Sequence, residues 1–145
     1  MKRLIPFYTF LALATFIACT SEKAHTNQEI EEAMQKYGRL ILKMDADSLS
    51  SLYAEDGQMG NGTIGPKAIR EKLKSVTDTK VMNYSTKTNK IIIMGDSATW
   101  EGTYSQKVMM NNKDTFTMYG DLRAHWIYVK DAGWKIKVMQ ARSII

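Results

Sequence analysis

Three side chains that could take part in acid/base chemistry stand two residues apart near the end of the chain: Asp121, Arg123 and His125. Residues at this spacing lie on one face of an extended strand, so a carboxylate, a guanidinium and an imidazole would be neighbours. Histidine changes its charge near neutral pH, and such neighbours could adjust His125 for general-base catalysis. The structural alternative is an Asp121–Arg123 ion pair that holds the sheet, with His125 satisfied by a backbone group. The sequence favours this structural alternative.

Other residues that suggest chemistry have simpler explanations. Asp45 and Asp47 form a carboxylate pair, but further oxygen ligands at metal-binding spacing are lacking. Capping at a junction between two helices explains the pair better than acid/base chemistry or a metal site. The glycines Gly57, Gly60 and Gly62 do not match a phosphate-binding pattern. We therefore predict no metal and no cofactor.

The acid/base candidates lie on a long predicted hairpin, residues 115–140. Its first arm alternates between two sets of side chains, which is typical of a strand with two different faces. The apolar set is Leu122, Ala124, Trp126 and Tyr128, and the opposite set is Asp121, Arg123, His125 and Ile127. The segment 130–133 predicts a short turn with a glycine that can take a positive φ. In the second arm we expect Trp134, Ile136 and Val138 to share one face.

Helices predicted upstream must cover one face of this hairpin. Thr26 and Glu29 match a capping box at the start of the first helix. Apolar residues then recur at helical spacing, namely Ile30, Met34, Tyr37, Ile41 and Met44. A short second helix, capped by Asp45 or Asp47, is expected to end at residues 54–57, and a third begins at Pro66. From Lys80 onward β-prone segments alternate with turns, so the predicted fold class is α+β with long antiparallel strands.

The N-terminus is typical of a bacterial lipoprotein. Two basic residues precede an apolar run, residues 4–18, that is too short to span a bilayer comfortably but fits a signal peptide. The run ends beside Cys19, the single cysteine of the chain, in a context similar to a lipobox, although Phe16 replaces the usual leucine. We predict a signal peptide at 1–18, a tether at 19–25 that is lipid-anchored through Cys19, and a domain at 26–145. The protein would face the periplasm or the cell surface; plain secretion is the alternative.

Composition narrows the class of protein further. The 145 residues carry a formal charge of +5, and 44% hydrophobic with 24% charged residues is ordinary for a soluble globular chain. Basic runs interleaved with aromatic residues are missing, so we predict no nucleic-acid partner. A single cysteine excludes an internal disulfide. His25 stands alone in the tether, and the sequence assigns it no function.

Three segments carry a resemblance to a known family: residues 45–56 (Asp-Ala-Asp-Ser-Leu-Ser-Ser-Leu-Tyr-Ala-Glu-Asp), residues 65–71 (Gly-Pro-Lys-Ala-Ile-Arg-Glu) and residues 133–136 (Gly-Trp-Lys-Ile). In this order of elements, residues 27–143 resemble the nuclear transport factor 2-like superfamily. That superfamily includes ketosteroid isomerase, scytalone dehydratase and SnoaL-like polyketide cyclases. The resemblance implies a cone-shaped fold, with N-terminal helices packed on a strongly curved antiparallel sheet. It does not imply one activity, because the fold hosts enzymes and non-enzymes.

The resemblance to ketosteroid isomerase assigns expected positions to three functional groups. Tyr37 stands sixteen residues before Tyr53, as the oxyanion-hole tyrosine of the isomerase stands before its own tyrosine. The place of the general-base aspartate falls on Asn61, which has no carboxylate and cannot take a proton near neutral pH. The second oxyanion donor falls on His125. Steroid isomerisation by that mechanism is therefore not expected.

The sequence predicts an envelope-anchored domain with a hydrophobic pocket that binds a small apolar or amphipathic ligand. The expected pocket residues are Tyr37, Asn61, Trp100, Tyr104, Arg123 and His125. The aromatic members and Trp126 would either line the pocket or fill the core. One alternative is an acid/base isomerase, lyase or cyclase that uses His125 and Tyr37. The other is an interaction module that forms a homodimer through its outer sheet face, as many relatives do.

Overall fold

Three helices and six strands make up residues 24–144, the part of the chain that this computed structural model describes. The helices are α1 (Asn27–Lys43), α2 (Ala46–Ser51) and α3 (Pro66–Lys74). The strands are β1 (Tyr53–Met59), β2 (Thr63–Ile64), β3 (Thr79–Met94), β4 (Ser97–Met110), β5 (Asp114–Val129) and β6 (Gly133–Ser143). None of these helices has the length and apolar character that crossing a membrane requires. The predicted signal peptide, Cys19 and most of the tether lie outside the described residues.

Helix α1 begins where the capping pattern predicts. Thr26 is the N-cap residue, and its hydroxyl accepts a hydrogen bond from the Glu29 amide at 3.4 Å. The buried face of the helix carries Ile30, Met34 and Tyr37. The helix ends at Lys43, and the C-cap residue Met44 has a left-handed φ of 48°, so that its amide donates to carbonyl groups of the last turn. The predicted amphipathic pattern is thus confirmed.

The segment after α1 departs from the expected helix. Asp45 caps α2, because its carboxylate accepts from the Ser48 amide at 3.0 Å, and the Ser48 hydrogen bonds hold the pKa of Asp45 below its usual value. The helix then ends at Ser51 and residues 53–59 form β1, so the expectation of a helix continuing to residues 54–57 is wrong. At Gly57 a Cβ would lie 2.6 Å from the Ile136 carbonyl oxygen, so β1 lies close against β6. We attribute the strand conformation of β1, in place of a longer α2, to this tertiary contact with β6.

The strands form one mixed sheet with the order β2-β1-β6-β5-β4-β3. The four long strands β3–β6 pair antiparallel along the chain, as the turn signals predict. Strand β1 joins β6 in parallel. A parallel pair needs a long connection, and here the rest of the domain separates the two strands in sequence. Local sequence therefore reveals the antiparallel pairs but not the parallel one.

One face of the sheet, here called the inner face, packs against α1 and forms the core. Its fully buried side chains include Trp100, Ala124, Trp126 and Ile136, which join Ile30 and Met34 of α1 in one hydrophobic cluster. Both tryptophans therefore fill the core, which decides between the two alternatives that the sequence leaves open for them. The opposite face of the sheet is called the outer face.

The β5–β6 hairpin shows the predicted alternation and one irregularity. On β5 the buried inner-face residues are Leu122, Ala124 and Trp126. On β6 a bulge adds one residue, because His125 pairs with Val138 whereas Trp126 pairs with Ile136. The bulge places Met139 in the core and turns Val138 to the outer face, beside His125. The expectation that Val138 shares the face of Ile136 is therefore wrong.

Candidate ligand-binding site

Three tyrosines pack together in the core: Tyr37 from α1, Tyr53 from β1 and Tyr84 from β3. The rings of Tyr37 and Tyr84 meet edge to face, with centroids 6.2 Å apart. Tyr37 is 8% exposed and Tyr53 is 3% exposed. Burial raises the pKa of Tyr37 to about 12, and it also raises the pKa values of Tyr53 and Tyr84. All three hydroxyls stay protonated at neutral pH, so they can donate hydrogen bonds but cannot act as bases.

The tyrosine cluster contains no partner for acid/base chemistry. Among the described residues, the charged or polar groups that influence the pKa values of these tyrosines are other tyrosines, with no carboxylate or imidazole among them. Burial is the larger influence on the pKa of Tyr37, and the neighbouring Tyr53 hydroxyl acts in the opposite direction and lowers it. The Tyr53 hydroxyl itself is buried without a hydrogen-bond partner among the described residues. Proton transfer of the isomerase type has no base at this position.

His125 and Arg123 lie on the outer face, away from Tyr37. The Nδ1 atom of His125 is 3.0 Å from the Thr99 hydroxyl, across the strand pair β4–β5. Arg123 Nη2 is 2.6 Å from Glu101 Oε1, so its partner is Glu101 rather than the expected Asp121. The structure therefore does not bring His125 and Tyr37 into one site, because adjacent residues of β5 alternate between the two faces.

The other predicted pocket residues occupy three further places. Asn61 is exposed in the turn between β1 and β2. Trp100 is in the core, where its indole Nε1 donates to the Thr88 hydroxyl at 3.0 Å, and that hydroxyl donates to Glu31 at 3.0 Å. Tyr104 lines a surface cavity of about 370 Å³ that Tyr119 also borders. The six predicted residues do not converge on a single pocket.

A larger cavity of about 990 Å³ opens where α1 begins, at the end of the sheet that carries the β3–β4 and β5–β6 turns. We call it the N-terminal cavity. Its lining residues come from the chain before α1, from α1 itself, from both turns and from the adjacent strand ends: Ala24, His25, Glu29, Glu32, Ile93, Gly95, Asp96, Tyr128, Lys130 and Trp134. The volume is at the upper end of the range for small-molecule sites, about 300–1,000 Å³.

His25 is the centre of a set of contacts in the N-terminal cavity. Its Nδ1 atom is 2.8 Å from Glu29 Oε2, and its Nε2 atom is 3.4 Å from Asp96 Oδ1. The imidazole ring lies 4.2 Å from the ring of Tyr128 and 4.7 Å from that of Trp134, centroid to centroid. The same Glu29 oxygen accepts a hydrogen bond from Trp134 Nε1 at 3.0 Å. Only 14% of the His25 side chain is exposed.

The cavity was not predicted from the sequence, although the sequence contains two signals that point to it. Tyr128 and Trp134 flank the predicted turn on the apolar face of the hairpin, at residues that pair across the two strands. His25 stands immediately before the N-cap residue, at the position whose side chain often packs back onto the first turns of a helix. Together these signals place aromatic side chains and His25 at the same end of the domain.

The N-terminal cavity is suited to binding rather than to metal chemistry. Its lining is partly apolar and aromatic, with Ile93, Tyr128 and Trp134, and partly charged. Within residues 24–144, no group of three or more histidine, cysteine, aspartate and glutamate side chains is arranged to hold a metal ion. A small molecule with an apolar body and a charged group matches this lining.

Comparison with solved structures shows the fold that this chain shares. It is similar to a ketosteroid isomerase-like protein from Erwinia carotovora atroseptica, with 14% identity and a TM-score of 0.73, over 83% of this chain and 99% of that one. It is similar to a nuclear transport factor 2-like superfamily protein from Salmonella enterica, with 19% identity and a TM-score of 0.69, over 81% and 90% of the two chains. A putative scytalone dehydratase from Novosphingobium aromaticivorans also has 19% identity, with a TM-score of 0.68 over 81% and 83%.

Comparison of the sequence with protein families gives the family itself. No curated protein matches the chain. The SnoaL-like domain, in contrast, matches residues 22–140, which is most of the chain. The structural neighbours agree with this match, because they share the cone-shaped nuclear transport factor 2-like fold predicted from the sequence. The chain belongs to the SnoaL-like domain family.

Proposed function

We propose that this protein binds a small amphipathic ligand in the N-terminal cavity and does not convert it chemically. The observation that carries the proposal is the cavity itself, about 990 Å³ in volume and lined on its sheet side by Ile93, Tyr128 and Trp134. Aromatic and aliphatic walls with a few polar groups are the usual composition of a small-molecule site. The mixed lining favours a ligand that has both an apolar and a polar part.

Chemical turnover is the less favoured function for this family member. The fold suggests a ligand-binding or an isomerase-type domain, and similar structures include a ketosteroid isomerase-like protein and a putative scytalone dehydratase. By the resemblance to ketosteroid isomerase, however, the place of the carboxylate base falls on Asn61 in this chain, and Tyr37 is closed into the core with a raised pKa. His125, the other catalytic candidate, lies on the outer face against Thr99. The residues needed for one acid/base site are thus dispersed.

We also propose that the protein works at the bacterial envelope, anchored through Cys19. Ala24 and His25 line the N-terminal cavity, so four residues, or five Cα–Cα steps, would separate Ala24 from a lipid-modified Cys19. Such a tether reaches at most about 18 Å. The cavity would then stay close to the membrane surface, where amphipathic molecules concentrate.

A binding experiment tests the ligand site. We expect the neutral apolar fluorophore N-phenyl-1-naphthylamine to bind the purified domain, and Tyr128→Ala to weaken this binding about tenfold through lost apolar contact. Tyr119→Ala is the matched control, because Tyr119 is an exposed tyrosine on the same strand that borders the smaller cavity. Its affinity should equal that of the parent. Equal affinity in all three proteins would contradict the proposed site.

Two further experiments test turnover and location. Enolisable ketones and hydrated polyketide-like compounds should not react with the protein; turnover that His125→Ala or Tyr37→Phe abolishes would show that it is an enzyme. Cells that express the full chain should incorporate radioactive palmitate into it, and Cys19→Ala should remove the label. Label that persists in Cys19→Ala would exclude anchoring through Cys19.

A further inference from the structure

We propose that the N-terminal cavity selects an organic cation, and that His25 occupies the site as an internal, displaceable ligand. This inference rests on the proposed function, because it names the chemical class that the same cavity prefers. The observation behind it is the position of the imidazole, which lies between two carboxylates, Glu29 and Asp96, and against two aromatic rings, Tyr128 and Trp134.

The hydrogen-bond donors that an imidazole offers depend on how many protons it carries. Comparing these donors with the neighbours of His25 shows which kind of group the cavity accommodates. A neutral imidazole has one N–H donor and one lone pair. Here both ring nitrogens face carboxylate oxygens, at 2.8 Å from Glu29 and at 3.4 Å from Asp96. Only the imidazolium form offers a donor to each carboxylate. The arrangement is therefore complementary to a flat organic cation.

The other charged and aromatic residues that line the cavity also favour a positively charged ligand. Glu29 and Glu32 face it from α1, Asp96 from the β3–β4 turn, and Lys130 from the β5–β6 turn. Among the described residues that line the cavity, three carboxylates and one lysine remain when His25 leaves, and Glu29 keeps Trp134 Nε1 among its partners. This excess of carboxylates over lysine favours a cation in the vacated position. The rings of Tyr128 and Trp134 add an attraction for a cation that they do not offer to a neutral ligand. A cationic ligand with an apolar body satisfies both parts of the lining.

His25 can leave the cavity without breaking the fold. It precedes the N-cap residue, so it lies outside α1, and the Thr26 hydroxyl that caps the helix does not depend on it. On the sheet side His25 contacts Asp96 in the β3–β4 turn and the rings of Tyr128 and Trp134 at the adjacent strand ends. Trp134 packs against the buried core cluster, but His25 is not a member of that cluster. A ligand cation can therefore replace the His25 side chain while the N-cap of α1 and the core cluster keep their contacts.

A pair of probes with the same shape and different charge tests the selection. Phenyltrimethylammonium is a permanent cation, and tert-butylbenzene is its neutral counterpart. We expect the cation to bind the full domain about tenfold more tightly than the neutral compound, measured by the change in tryptophan fluorescence. His25→Ala removes the internal competitor and should tighten the cation about tenfold further, while leaving tert-butylbenzene within about twofold. His25→Gln, which keeps a polar side chain, serves as the second variant.

The outcomes separate this inference from the proposed function. If tert-butylbenzene and N-phenyl-1-naphthylamine bind but the cation binds no more tightly, the cavity is a ligand site without selection for cations, and this inference alone is overturned. If His25→Ala and His25→Gln weaken the cation, His25 is part of the site rather than its competitor, and the inference is again overturned. If none of the three compounds binds to any variant, both the inference and the proposed function fail.

Discussion

Tyr37→Phe should change how the stability of this protein depends on alkaline pH. Native Tyr37 keeps its proton to about pH 12 because it is buried, whereas in the unfolded chain it loses the proton near its usual pKa of about 10. Between these values the native state holds more protons than the unfolded state, so stability falls as the pH rises. The contribution of Tyr37 is complete below about pH 10 and is lost as the pH approaches about 12.

The magnitude of the change follows from the size of the pKa shift. A difference of about two pKa units corresponds to roughly 3 kcal/mol in all, of which about half is lost at about pH 11. Tyr53 and Tyr84 add losses of the same sign, because burial also raises their pKa values. Burial, the main cause of both shifts, is present in both proteins, so the parent should lose roughly 1 kcal/mol more than Tyr37→Phe between about pH 9 and about pH 11.

Urea unfolding followed by far-ultraviolet circular dichroism at several pH values measures this difference. The comparison uses the slope of the unfolding free energy against pH. A loss of stability in Tyr37→Phe that is the same at every pH therefore does not affect it. Tyr119→Phe is the control, because Tyr119 is 54% exposed and lies outside the tyrosine cluster of the core. If the parent and Tyr37→Phe lose stability in parallel, Tyr37 is accessible to solvent, and its assignment to the closed core is refuted.

Three further substitutions test contacts that hold the fold together, each by urea unfolding. Gly102→Ala should destabilise the domain by about 2–3 kcal/mol, because the new Cβ would lie 2.2 Å from the Lys87 carbonyl oxygen; a loss below about 1 kcal/mol would contradict this contact. Thr88→Val should cost about 1–3 kcal/mol by leaving the buried Trp100 indole without an acceptor, and Thr88→Ser should restore most of it. Asp45→Ala should cost about 1 kcal/mol through the lost cap of α2, whereas an unchanged stability would exclude a capping role.

The parts of the fold that short-range sequence signals determine were predictable. Thr26 and Asp45 cap their helices, Pro66 begins α3, and the alternation on β5 gives the buried face of the sheet. Each of these features depends on residues within a few positions of one another. The strand β1 and its parallel pairing with β6 depend on contacts between distant residues such as Gly57 and Ile136, which no local pattern shows.

The candidate site was less predictable than the fold. His125 and Trp126 are adjacent on β5, so their side chains lie on opposite faces of the sheet. Because Trp126 is in the core, His125 lies on the outer face and cannot line an inner pocket. The resemblance drew attention to Tyr37, whose hydroxyl the structure encloses. His25, in contrast, acquires its neighbours only when α1 docks on the sheet and brings the residue before its N-cap beside Asp96 and Tyr128. His25 is a single residue in a polar segment, so it belongs to no periodic pattern in the sequence.

Nuclear magnetic resonance of the three tryptophan indoles tests the central claim, that the ligand enters the N-terminal cavity and not the core. Trp134 lines the cavity, whereas Trp100 and Trp126 are buried in the core at 0% and 1% exposure. In a titration with N-phenyl-1-naphthylamine, we predict that the Nε1–H signal of Trp134 shifts progressively and that the other two signals keep their positions. Shifts of the Trp100 and Trp126 signals with an unchanged Trp134 signal would place the ligand in the core and contradict the account.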